Sequence, residues 1–313
     1  MNVVLLRNRP HFGAQITTIP VLHFFSEHYC QKKPLVLLSK NNVSWIYSQL
    51  PWVQECIHSK HRMDDLKQLN KCDNLLNLRP NNRFLMIMYK ALKGGQVFDL
   101  VANDFLIELT ATQYNKMRDD EYRALNYLKI FIKEESALLP ALAAPFQVLA
   151  QSSSLQVATT QLNLLLMQGG GAGEIKKWGI DDFITVGNAI ATKLNKTCHL
   201  HVLLGPDETD EINIMKALMA ESNNLSLHTN IPIKDIAQLA SQCDLTIAND
   251  CGPSHIAQCL QKPYIGIYRE PNPEWFLNHA LSRKVIPQTG QDIKTIDIES
   301  VTEHAVHLLE SQY

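Results

Sequence analysis

One feature constrains this chain more than any other: short apolar runs alternate with segments of helical spacing along most of its length. NVVLL (2–6), PLVLLS (34–39), NLLNL (74–78), LNLLLMQ (162–168), HLHVLLG (199–205), LSLHT (225–229), LTIAND (245–250) and YIGIY (264–268) each read as a strand. Several are apolar at nearly every position, as strands covered on both faces must be. Helix-like segments lie between them, among them TTIPVLHFFSEHY (17–29), 43–50, one running to about residue 92, DDFITVGNAIATKL (181–194) and SHIAQCLQ (254–261). This alternation is the signature of βαβ units and a parallel sheet. Residues 112–136 are charged with helical spacing. The stretch 138–154, with Pro140, Pro145 and QSSS, reads as the end of a helix followed by an interdomain linker. The rhythm then restarts, and 298–309 has the spacing of a final helix. A length of 313 residues suits two domains. The expected architecture is α/β, with two Rossmann-like domains, 1–155 and 156–313, whose parallel sheets face a central cleft.

Composition narrows the function classes. With 45% hydrophobic and 19% charged residues the chain has apolar surface enough to fold. A net charge of −2 argues against a nucleic-acid binder. The charge is uneven: residues 1–150 hold 18 Lys and Arg against 13 Asp and Glu, and residues 151–313 hold 11 against 18. A basic N-terminal half favours an anionic partner, although scattered solvated charge reads the same way. The seven cysteines include no Cys-x-x-Cys pair, so reduced, buried thiols in a cytoplasmic protein fit best. The apolar run at the start is too short for a signal peptide, and LLPALAAPFQVLA (138–150) is too short for a membrane span.

Several segments carry residue types suited to chemistry. Gly169, Gly170, Gly171 and Gly173 directly follow a strand. Glycines there let backbone N–H groups approach an anion, or simply close a tight turn. The pattern is neither a dinucleotide fingerprint nor a Walker loop. Lys176 and Lys177 follow, and a lysine after such a turn is a ready point charge for phosphate. In LTIANDCGPSHIAQCL (245–260) a strand ends in Asp250, a Cys251-Gly252-Pro253 turn follows, and Ser254 and His255 open a helix. Ligands of open α/β sheets bind beyond the carboxyl ends of the strands. Glu208 and Glu211, just after another strand, can accept hydrogen bonds from ribose hydroxyls or serve as helix N-terminal charge. His199 and His201 share one face of a strand; without a third ligand a structural role fits them better than a metal. No nucleophile elbow is present.

The strand-AND-x-GPSH-helix segment resembles the (V/S)DTGPMHLA segment of glycosyltransferase family nine, the lipopolysaccharide heptosyltransferases. LLLMQGGGAGEIKKWGIDDF resembles the family's strand-HPGAS-x-x-KRWP segment, and HVLLGPDETDE its strand-GGPxxxE segment. NVVLLRNRPHFGAQITTIPVL resembles its opening (I/L)R-x-x-GDVLLTTPVL, and CDNLLNLRPNNRFLMIMYKAL its YDLVIDLxGNLRSALLARL. The resemblance spans nearly the whole chain. It implies a GT-B fold and an inverting, metal-independent transfer that uses no cofactor. The C-terminal domain would hold a nucleotide sugar, ADP-heptose in characterised members. The N-terminal domain would hold a phosphorylated, Kdo-bearing lipid A acceptor at the cytoplasmic face of the inner membrane. Lys176 falls on the family's donor-phosphate lysine, and Asp250, Gly252, Pro253 and His255 on its donor loop. Gly170, Gly171, Glu208, Cys251 and Ser254 complete the donor side; Gly13 and Arg79 fall on the acceptor side. The C-terminal helix would cross back onto the N-terminal domain.

The departures bear on catalysis. The family places an aspartate after the glycine of its first turn, where this chain has Ala14, and residues 1–26 contain no Asp or Glu. A base that takes the acceptor proton is typically worth ~10²–10⁴ in rate. His11 can substitute, Asp104 can swing in from a loop, or the chain is a weak or inactive member that still binds a nucleotide sugar. Cys251, Ser254 and Gln168 also replace the family's Thr, Met and His. A nucleotide-sugar epimerase on the same fold is a third reading, and it would consume donor with no acceptor present.

Overall fold

The computed structural model describes residues 1–103, 106–170 and 173–311. The chain forms two compact units that divide between Pro145 and Phe146. The first contains β1 (Asn2–Leu5), α1 (Phe12–Ile16), α2 (Ile19–Tyr29), β2 (Leu35–Ser39), α3 (Ser44–Tyr47) and β3 (Val53–His58). Then come α4 (Arg62–Leu69), β4 (Asn74–Asn77), α5 (Arg83–Lys93), β5 (Gln96–Val101), β6 (Gln113–Lys116) and α6 (Arg123–Leu128). Helix α7 (Glu135–Gln151) leads into β7 (Leu162–Met167), α8 (Ile180–Leu194), β8 (Cys198–Leu204), α9 (Thr209–Glu221) and β9 (Leu225–Thr229). The second unit continues with α10 (Ile233–Gln242), β10 (Leu245–Asn249), α11 (Ser254–Leu260), β11 (Tyr264–Ile267), β12 (Ser282–Val285) and α12 (Ile298–Glu310).

Each sheet has six strands, all paired in parallel. The orders are β3-β2-β1-β4-β5-β6 and β12-β11-β10-β7-β8-β9. Counted within its own unit, each is the doubly wound order 3-2-1-4-5-6, with the strand order reversing between β1 and β4 and between β7 and β10. The central strands β1, β2, β7 and β10 are buried at every position, which accounts for their unbroken apolar runs. One face of the second sheet packs its Leu164, Leu166, Leu200 and Ile247 against Phe183 and Val186 of α8.

Two local expectations are corrected. The expected linker at 138–154 is helical as far as Gln151, with Pro140 and Pro145 inside the helix. Each internal proline costs a helix ~3 kcal/mol. Leu138, Leu142, Phe146 and Leu149, all buried, recur every three or four residues and offset this at ~1.5–3 kcal/mol apiece. The charged stretch 112–136 is not one helix, because it contains the edge strand β6 and the short α6. The terminal helix α12 packs its apolar face within the second unit. Val301, Ala305, Leu308 and Leu309 are buried in the core of the second sheet, alongside α8.

Candidate functional site

The second sheet reverses its order between β7 and β10, and the loops that leave those two strands carry the expected donor residues. Asn249, the last residue of β10, ties them together. Its side-chain amide donates to the Gln168 carbonyl at 2.6 Å, and its carbonyl oxygen accepts from the backbone N–H of Trp178 at 3.4 Å. Trp178 is fully buried, and its indole N–H donates to the Ile296 carbonyl at 3.1 Å. The glycine loop is thereby held close to the β10 loop. After Gly173 a 3₁₀ turn, Glu174–Lys176, brings Lys176 round so that its Nζ meets Asp250 Oδ2 at 2.5 Å. Asp250 is 9% exposed and Lys176 28%, so the lysine retains an open side. A positive charge at a strand-end crevice, aimed by a buried carboxylate, is suited to phosphate.

Lys177 points elsewhere. It bonds Glu174 at 2.8 Å and Glu211 at 2.6 Å. Burial alone would lower its pKa, but the two carboxylates outweigh that and hold the ammonium above its ordinary range. Glu211 is therefore engaged by Lys177. Glu208, 8% exposed, accepts the Gly205 N–H through Oε2 at 2.7 Å. Its other oxygen, Oε1, faces Gly169 so closely that a Cβ there would stand 2.8 Å away. Gly170 is equally confined: a Cβ would meet Lys177 Cγ at 2.7 Å and the Gly173 carbonyl at 3.0 Å. At these two glycines the space of a Cβ is taken up by the Glu208 carboxylate, by Lys177 and by the Gly173 carbonyl.

The other donor-loop side chains face inward. Ser254 is fully buried and donates to the Cys251 carbonyl at 2.7 Å. The Cys251 thiol is buried against the end of β7, and burial pushes its pKa up to about 12. Both close the loop around Gly252 and Pro253. His255 is 2% exposed, its Nδ1 is 3.4 Å from the Gln258 amide, and its ring lies 5.6 Å from that of Trp275. Burial lowers its pKa to about 4; Asp250 opposes the shift and Lys176 adds to it. His255 is thus neutral at pH 7. Gly171 and Asp104 lie outside the described residues. Asn249 and Trp178, which position the lysine, were not singled out from sequence, although both stand beside motif residues.

In the first unit Arg79 is committed to the fold. It lies at the end of β4, 7% exposed, and donates to the Leu6 carbonyl (2.8 Å), the Leu38 carbonyl (2.7 Å) and Asp65 (2.9 Å). Lys40 shares Asp65 at 2.8 Å. These bonds knit the ends of β1 and β2 to the start of the loop after β4. Arg79→Ala should lower stability by ~3 kcal/mol in urea unfolding, because Asp65, 1% exposed on its side chain, loses its better-buried partner. Gly13 is the second residue of α1. His11 is exposed at the N-cap of that helix, and its side chain makes no capping bond. Ala14 is 8% exposed. Gln15 accepts from the Tyr47 hydroxyl at 2.6 Å, which anchors α1.

His199 and His201 join a side-chain network. His199 Nε2 lies 2.8 Å from Ser226 Oγ, and His201 lies 3.2 Å from His228 and 3.3 Å from Asn163. Burial lowers the pKa of His201 to about 4, and the two neighbouring imidazoles add to the shift. Among the described residues no group of three or more His, Cys, Asp or Glu side chains is arranged to hold a metal ion. No helix among them is long and apolar enough to cross a membrane.

Two doubly wound units of this order define the GT-B class of fold. A family model for glycosyltransferase family 9 (heptosyltransferase) matches residues 133–305, more than half of the chain, and the chain belongs to that family. Among solved structures it is similar to the ADP-heptose lipopolysaccharide heptosyltransferase II of E. coli (15% identity, TM-score 0.64, covering 100% of this chain and 99% of that one). It is similar to a family 9 glycosyl transferase from Veillonella parvula DSM 2008 (18%, 0.62, 99% and 98%). It is also similar to the E. coli heptosyltransferase WaaC solved with ADP (12%, 0.62, 98% and 100%). At these identities the likeness concerns the fold. No curated protein sequence matches the chain.

Proposed function

We propose that this protein is an inverting, metal-independent glycosyltransferase. It moves a heptose or similar sugar from a nucleoside-diphosphate donor to an anionic, lipid-linked glycan of the lipopolysaccharide-core type, at the cytoplasmic face of the inner membrane. The observation that carries this reading is the Lys176–Asp250 pair at the reversal point of the second sheet, beside Glu208. ADP is the first nucleotide to test, because the WaaC structure to which the chain is similar was solved with it.

The C-terminal unit binds the donor. Lys176 meets the diphosphate, and Glu208 Oε1 accepts from the ribose hydroxyls. The acceptor hydroxyl attacks the anomeric carbon from the face opposite the nucleotide. The new glycosidic bond forms as the sugar–phosphate bond breaks, and the departing charge settles on the phosphate beside Lys176. The hydroxyl proton passes to His11, the exposed titratable side chain nearest in sequence to the position where the family carries its aspartate. Asp250 aims Lys176, and His255 supports the donor loop as a neutral group.

Gly169→Ala tests the ribose contact. The added methyl displaces the Glu208 carboxylate, so ADP affinity should fall by about tenfold, the loss of one charged hydrogen bond. Calorimetry should also show that the preference for ADP over 2′-deoxy-ADP shrinks, with stability little changed. Ala14 favours a second reading, a nucleotide-sugar-binding protein with weak turnover. Release of nucleoside diphosphate that depends on acceptor separates the two.

A further inference from the structure

Helices α1 and α3 bring two aromatic side chains together beside His11. Phe12, the residue after His11, opens α1, and Trp45 is the second residue of α3. Their rings stack, with centroids 5.5 Å apart and planes 12° apart. Phe12 is half-buried, whereas Trp45 is 57% exposed. The pair has a rigid backing. Tyr47, fully buried two residues after Trp45, donates to Gln15 Oε1 at 2.6 Å, and its hydroxyl lies 2.9 Å from Thr18 Oγ1. The Gln15 amide in turn donates to the Arg9 carbonyl, in the loop that carries His11. One buried network thus holds both helix starts and that loop in place.

An exposed tryptophan alone needs no explanation. The chain around this one selects a ligand. Residues 41–49 contain no charged side chain, and Asn42, Ser44, Ser48 and Gln49 are all exposed. The cation nearest in sequence, Lys40, is held by Asp65 at 2.8 Å and by Ser59 at 2.9 Å. An aromatic face bordered by amides and hydroxyls matches a sugar. The C–H groups of a pyranose ring make an apolar, slightly positive face, which suits the electron-rich face of an indole. The ring hydroxyls then find amide and hydroxyl partners at its rim. An anionic lipid surface would call for cations here, and a protein partner for a broader apolar patch.

We propose that Phe12 and Trp45 form a platform for a sugar ring of the acceptor, laid on the indole so that its reacting hydroxyl meets the neighbouring His11. The inference rests on the transferase reading and deepens it. The first unit recognises the neutral face of the acceptor sugar, whatever charge the acceptor carries elsewhere.

The test is calorimetry of the full chain, without donor, against the deacylated glycan of a phosphorylated Kdo–lipid A, together with transfer kinetics. Trp45→Ala should weaken glycan binding by about tenfold or more and raise the KM for acceptor to match. Trp45→Phe keeps an aromatic face and should stay within about threefold of the wild type. The KM for donor and the rise in Tm with ADP should be unchanged in both variants, which also shows that they are folded. Wild-type affinity in Trp45→Ala would overturn the proposal, as would equal losses in the two variants or no binding of the glycan to the wild type. Partitioning onto vesicles that depends on Trp45, or a dimer that Trp45→Ala dissociates, would assign the tryptophan to another partner and overturn it too. A wild type that binds the glycan through Trp45 but is not stabilised by ADP would count against the transferase reading and leave the sugar platform standing.

Discussion

Lys176→Ala is expected to abolish the stabilisation of the protein by nucleoside diphosphate and to lower transfer by ~10²–10³. Lys176 is the cation that Asp250 directs into the crevice, whereas Lys177 is engaged by Glu174 and Glu211 and cannot replace it. A ligand that binds only the folded state stabilises it by ~2.7 kcal/mol at a hundredfold excess over Kd. A panel of ADP, UDP, GDP and CMP should therefore show one base raising Tm in the wild type and no base doing so in the variant. Each protein must be read against its own unliganded Tm, because removal of Lys176 also leaves Asp250 without its partner. A variant that keeps a full nucleotide shift would move the phosphate site away from β7 and β10.

His11→Ala carries the second large effect. Loss of the acceptor-side base should lower kcat by ~10²–10⁴ and leave the KM for donor unchanged. The side chain is exposed and makes no capping bond, so the fold should tolerate the change. Ala14 lies three residues further on, one turn along α1, where positions i and i+3 share a face. Combining His11→Ala with Ala14→Asp should therefore recover much of the lost rate, since a carboxylate in the first turn is also favoured by the helix dipole. Unchanged turnover in His11→Ala would remove His11 from the chemistry.

Much of the fold was legible because the interior strands are apolar at almost every position. The strands that escaped notice had physical reasons to do so. β3, β6 and β12 lie at sheet edges or next to them, are largely half-buried or exposed, and lack a continuous apolar run. β5 is interior, but Asp99 interrupts it. That carboxyl group is buried between Asn77 and Arg83, and burial holds its pKa up at about 6. α7 was obscured by two prolines whose cost only tertiary packing offsets.

The site was legible in its order and obscure in its directions. The motif residues around Asp250, the glycine loop and Lys176 stood out through their resemblance to the family's segments, while spacing alone left a tight turn equally open. Which side chains face a ligand was not. Cys251 and Ser254 turn inward, Arg79 is taken up by two carbonyls and Asp65, and Glu211 is claimed by Lys177. Ser254 apart, whose partner lies three residues away, the bonding partners are distant in sequence, and one-dimensional spacing carries no such information.

The most direct measurement of the central claim is release of nucleoside diphosphate from a nucleotide sugar, with ADP-heptose tried first, in the presence and absence of a phosphorylated Kdo–lipid A acceptor. The account predicts release that depends on acceptor, is accompanied by a product heavier by one sugar, and disappears in Lys176→Ala. Donor consumed equally without acceptor, or no nucleotide bound and none released, would contradict it.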